Sequence, residues 1–156
     1  MKWYQIRIRV VLLSVIIGYF LTNPLTLLFD YDKEMTLNFD PPCVIVYKEN
    51  IPKDILSYSK GMLVYIRPAD RYDVPSLKHE FVHIRQFWST LGLMPILYLN
   101  SDRFRLLFEL EAFREQLKYE PNREAARREA AFLLAYKYKL EKLIDYQVAY
   151  CLLGDK

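Results

Sequence analysis

Residues 78–86 read KHEFVHIRQ, and within them His79, Glu80 and His83 form an HExxH pattern on a stretch of helical periodicity. Residues four apart share one helix face, so His79 and His83 direct ring nitrogens toward one metal ion while the adjacent Glu80 points toward water bound on it. Two neutral imidazoles leave the charge of a zinc dication uncompensated, so the ion lowers the pKa of bound water toward about 7 and Glu80 accepts the proton. The chain holds only 2 histidines. Chance would set them in this pattern roughly once in a thousand shuffles, so His79 and His83 are the expected ligands, Zn2+ the expected ion and Glu80 the expected catalytic base.

At about 100° per residue, Leu77, Phe81, Ile84, Trp88 and Leu91 form one apolar stripe, and Lys78, Arg85 and Ser89 form a solvent-facing strip. His79, His83, Gln86 and Phe87 occupy the remaining side, so the ligands look into a cleft. A catalytic zinc takes three protein ligands and keeps a fourth position open. No third histidine competes for that place, and FELEAFREQ (residues 108–116) supplies Glu109, Glu111 and Glu115. Against the stripe Leu106, Leu110, Phe113 and Leu117, Glu109 falls about 60° off centre, at the edge of the buried face, whereas Glu111 and Glu115 point away. Glu109 is the expected third ligand. Ala112, on the same side, is small enough to let the two helices approach.

The length of 156 residues leaves room for one domain, and 53% hydrophobic residues with 4 Gly supply enough apolar surface to fold it. A net charge of +3 from 22 basic and 19 acidic residues is too balanced for the broad basic face of a nucleic-acid binder. Cys43 and Cys151 stand far apart, which gives neither a disulfide framework nor a thiolate zinc cluster. Residues 30–42 are polar and irregular and read as a linker. Cys43–Tyr47 and Met62–Ile66 read as strands, with a short helix expected between them over Ile51–Ser59. Helices are expected over Val74–Leu91, Asp102–Tyr119 and Asn122–Leu153, the last packing through Ala130, Leu133, Leu140, Ile144, Val148 and Cys151. The expected class is α+β and mostly helical, with a strand pair and three main helices over residues 31–156.

Ahead of this domain, Val10–Phe29 runs for twenty residues without a formal charge, enough for a helix to span roughly 30 Å of hydrocarbon. Lys2, Arg7 and Arg9 precede it and Asp30 and Asp32 follow. The positive-inside bias therefore puts the N-terminus in the cytoplasm and the main domain outside. The first alanine is Ala69, so no small-residue cleavage site follows and residues 1–30 read as a retained membrane anchor. Thr22, Asn23 and Pro24 interrupt the run, which leaves a buried element of a soluble fold as the other reading.

His79, Glu80, His83, Glu109 and Ala112 together resemble the gluzincin metallopeptidases, in which HExxH on one helix is completed by a glutamate in an E-x-x-A pattern on a later one. The stretches MLVYIRP, HEFVHIRQ with Gln86, LGLMPILY and ELEAF are similar to those of short HExxHxxQ proteins of bacteria and their phages. The resemblance spans about Gly61 to Lys118 and implies a minimal zincin-like fold, a zinc-dependent peptidase and a peptide or protein substrate. It further implies that the strand at Met62–Ile66 lies along the cleft as an open edge and pairs with the substrate backbone.

One departure stands out. Many gluzincins carry an acidic residue after the alanine of E-x-x-A, and here the position is Phe113. Support for the ligating imidazoles then has to come from another group, for which Asp73 and Asp102 are the candidates. An oxyanion stabiliser is left unassigned, although Tyr98 and Tyr119 carry suitable phenols. The alternative function is a membrane-inserted or virion structural protein with a metallopeptidase-like fold, whose metal only ties two helices together.

Overall fold

The structure is a computed structural model that describes residues 34–52, 55–138, 140 and 143–154. The hydrophobic segment over residues 1–30 lies outside the described residues. Among those described, no helix is long and apolar enough to cross a membrane.

Four strands form one sheet. Strands β1 (Met35–Phe39) and β2 (Pro42–Tyr47) make an antiparallel hairpin in which Met35 faces Val46 and Phe39 faces Pro42. Strands β3 (Ser57–Lys60) and β4 (Leu63–Ile66) make a second, with Lys60 opposite Leu63. Gly61 opens its two-residue turn at φ 62°, the conformation that the first central position of a type II′ turn requires and that a Cβ penalises. The hairpins join through β2 and β4, which run parallel, in the order β1-β2-β4-β3.

The two expected strands are therefore present as the central pair, and both are dominated by β-branched and aromatic residues. Each gains an antiparallel partner that the sequence concealed. β1 lies within the expected linker, and β3 lies where a short helix was expected. The sequence of β3, SYSK, is polar with no half-buried periodicity, because it forms an edge with only one neighbour to satisfy. Met62–Ile66 is accordingly an interior strand and not an open edge; the edge on that side is β3.

Helix α1 (Val74–Ser89) covers one face of the sheet, with Phe81, Ile84 and Leu77 against Cys43, Ile45, Val64 and Ile66. On the other face Val46, Leu63 and Tyr65 pack with Ile51, Ile55 and Tyr58. After α1 the chain turns through Leu91 and Gly92 into α2 (Met94–Asn100), a helix absent from the sequence reading, with Pro95 in its first turn. Helix α3 (Asp102–Gln116) is capped by the Ser101 hydroxyl on the Phe104 N–H, close to its expected bounds.

The long third helix expected over Asn122–Leu153 is divided. Helix α4 (Arg123–Phe132) continues into a π-helical turn (Leu133–Lys137), and α5 (Tyr146–Gly154) begins afresh where the Asp145 carboxylate accepts from the Val148 N–H at 2.8 Å. The break rotates the buried face. Ala149 and Leu153 point inward, while Val148 and Cys151, expected in the core, are exposed. α5 thereby packs on α4, and a second core forms from Leu110, Phe113, Leu117, Ala130, Leu134, Leu140 and Ile144.

Candidate metal centre

Helix α1 carries His79 and His83 one turn apart, and α3 lies against it. Both histidines and Glu109 are buried, with Glu109 2% exposed. His79 Nε2 and His83 Nε2 are 3.1 Å apart, and the Glu109 carboxylate oxygens lie 3.5 Å from the first and 3.6 Å from the second. The nearer oxygen is Oε2 for His79 and Oε1 for His83, so the carboxylate faces both ring nitrogens across one space. Among the described residues no other His, Cys, Asp or Glu joins the three.

The far side of each ring decides which nitrogen is free. His79 Nδ1 lies 3.1 Å from Gln116 Oε1 and His83 Nδ1 lies 2.8 Å from Gln86 Oε1. Both glutamine oxygens are acceptors, so each Nδ1 carries the proton and each Nε2 presents a lone pair. The amides are themselves oriented. Gln86 Nε2 donates to the Phe108 carbonyl at 3.0 Å and to Glu111 at 2.8 Å, and Gln116 Nε2 donates to Glu120 at 2.9 Å.

Two lone pairs and a carboxylate thus converge in a buried space with no donor hydrogen between them. Glu109 Oε2 has no hydrogen-bond partner, while Oε1 accepts from the Tyr98 hydroxyl at 2.7 Å. Such an array is unfavourable unless a cation sits inside it. Without a metal the cation is a proton. Burial works against charge on His79, but the adjoining Glu109 carboxylate and the Glu80 charge outweigh it and raise its pKa. Burial likewise works against the Glu109 carboxylate, yet the two histidines and Tyr98 hold it down at about 2. His79, His83 and Glu109 therefore form a buried group that could bind a metal ion. No protein-family model, curated protein or solved structure matches the chain.

Glu80 is buried beside this group and its Oε1 accepts from Ser57 Oγ of β3 at 2.9 Å. His79, Glu80, His83 and Glu109 line one cavity of about 1030 Å³, whose other walls come from β3, α2 and α4. The four residues singled out from sequence are thus brought together. Ala112, one turn beyond Glu109, is fully buried.

The expected imidazole supports are not the ones found. Asp73 accepts from Ser76 Oγ at 2.5 Å and Asp102 pairs with Arg105 at 3.3 Å, so neither reaches a histidine. Gln86 and Gln116 do. Phe113, at the departure from the gluzincin pattern, lays its ring against His79 with centroids 4.7 Å apart. Gln116 reaches over from the next turn of α3. Of the two phenols considered, Tyr98 holds Glu109, whereas Tyr119 is exposed under Lys78. Tyr138 was not singled out. It lines the same cavity, and burial first and the Glu109 charge second push its phenol well above the ordinary range.

Proposed function

We propose that the chain is a small zinc-dependent peptidase of the gluzincin type, with His79, His83 and Glu109 as ligands and Glu80 as general base. The observation that carries this reading is the convergence of two Nε2 lone pairs and an unsatisfied carboxylate oxygen in the cavity that Glu80 also lines. A nitrogen and oxygen donor set suits zinc among the common divalent ions. Three ligands leave one position for water or substrate, the arrangement of a catalytic site and not of a closed structural one.

When bound, the zinc dication supplies Lewis acidity, which lowers the pKa of water and polarises a carbonyl. Glu80 takes the proton of the attacking water on its carboxylate and returns it to the leaving amine. Ser57 Oγ, donating to Oε1, fixes the carboxylate and leaves Oε2 for that proton. Gln116 and Gln86 keep both imidazoles in the ligating tautomer. Tyr98 binds one oxygen of Glu109 and so presents the other. The substrate backbone adds to β3, the sheet edge that lines the cavity, by strand addition.

Metal analysis of the purified chain, beside hydrolysis of a mixed peptide library, tests this reading. The expected result is one zinc per chain, with cleavage abolished in Glu80→Gln although the zinc is retained. Absence of zinc, or cleavage unchanged in Glu80→Gln, overturns it.

A further inference from the structure

Helix α2 has the sequence MPILYLN, and none of its residues is buried. An apolar helix in a water-soluble face normally hides a stripe. Here Leu93, Ile96 and Leu99 stand out, the last 73% exposed, and Leu91 just before them is 77% exposed. Leu91 at φ 52° and Gly92 at φ 81° end α1 together, the Gly92 N–H donating to the Phe87 carbonyl at 2.8 Å. Between Arg85 and Asp102 the chain carries no charged residue. At the end of α1, Trp88 is partly exposed and its indole N–H donates to the Pro42 carbonyl at 3.0 Å, which brings the β1–β2 turn, with Phe39 84% exposed, beside the same patch.

We propose that this patch, Trp88, Leu91, Leu93, Ile96 and Leu99, seats on a phospholipid bilayer. The patch presents exposed leucine and isoleucine side chains and a tryptophan on a stretch without formal charge, with Asp40 of the β1–β2 turn at its border, a composition that suits the boundary between headgroups and acyl chains. The uncharged run Val10–Phe29 ends six residues before Met35, a tether of at most about 20 Å. A bilayer holding that run would lie within that distance of Met35, on the hairpin whose turn adjoins Trp88. Met94, Pro95 and Leu99 also line the cavity, so the seated domain opens its cleft toward the lipid surface and draws substrate from segments lying on it. The lipid contact itself does not depend on the peptidase reading.

Trp3 and Trp88 are the two tryptophans, so the full chain carrying Trp3→Phe reports on the patch alone. Reconstituted in phosphatidylcholine vesicles, it is expected to lose most of its emission when the acyl chains are brominated near the headgroup. Adding Leu91→Asp and Ile96→Asp, at exposed positions, is expected to restore the emission with an unchanged circular-dichroism spectrum. Equal emission in plain and brominated vesicles overturns the proposal. So does quenching that survives the two aspartates. Shielding of Trp88 from acrylamide without any bromine quenching also overturns it, because the cover is then protein, either residues 10–29 or a second copy.

Discussion

His79 and His83 each hand their second N–H to a glutamine oxygen, and the consequence is measurable. Gln116→Leu and Gln86→Leu are each expected to weaken metal binding about 10–100-fold with the fold retained, read by competition against a chelating dye. Gln86 was placed on the histidine face of its helix in the sequence but was not assigned to an imidazole, although it stands three residues after His83. Gln116 was not singled out, since its contact bridges 37 positions and carboxylates were the natural candidates. The carboxylate and imidazole charges also set a pH window for the metal-free protein. Glu109, held at about 2, contributes stability that is full above its ordinary 4.5 and lost as pH falls toward 2. His79, raised above 6.5, contributes stability that is full below 6.5 and lost as pH rises through its folded value. Denaturant melts in chelator should therefore show this contribution greatest between pH 4.5 and 6.5, and Glu109→Gln should flatten the profile.

The β3 edge is where an element-scale test belongs. Lys60 and Leu63 flank a two-residue turn and form a hydrogen-bonded pair, so Tyr58 and Tyr65 form the next one. Ser57 and Ser59 alternate with them and turn their backbone groups to the open edge. Ser59→Pro removes one outward N–H at a position where an edge strand tolerates proline. Peptide cleavage is expected to fall roughly tenfold in kcat/KM, the worth of about one hydrogen bond, with zinc content unchanged. Unchanged kinetics would place the substrate elsewhere in the cavity. Elements with a period of their own were legible: α1 and α3 by their apolar stripes, although Trp88 and Leu91 at the end of the first are exposed, and β2 and β4 by branched and aromatic runs. β1 and β3 were not, because MTLNF and SYSK acquire strand character only from the neighbours they pair with. The break after α4 has no glycine or proline to announce it. Its only mark is Asp145, whose capping role shows once α5 has turned back.

Two cores meet at the candidate metal centre. α1 belongs to the sheet core and brings His79 and His83, while α3 belongs to the helical core of Leu110, Leu134 and Leu140 and brings Glu109. From sequence, the facing of Glu109 along its own helix sufficed to choose it over Glu111 and Glu115. The convergence itself depends on α3 lying against α1, which no local pattern encodes. An ion held by all three side chains binds the docked arrangement and not the separated one, so it should act as a clamp between the cores. With free zinc at a thousand times its dissociation constant, the linkage is worth about 4 kcal/mol. For a domain of this size that corresponds to a rise in Tm of roughly 8–16 °C. Calorimetry with and without chelator should show that rise in the native chain and in Glu80→Gln, whose carboxylate is not a ligand, and lose it in His83→Ala and Glu109→Ala. A zinc-dependent rise that persists in Glu109→Ala would mean that the ion is held by α1 alone and that the two cores dock without it.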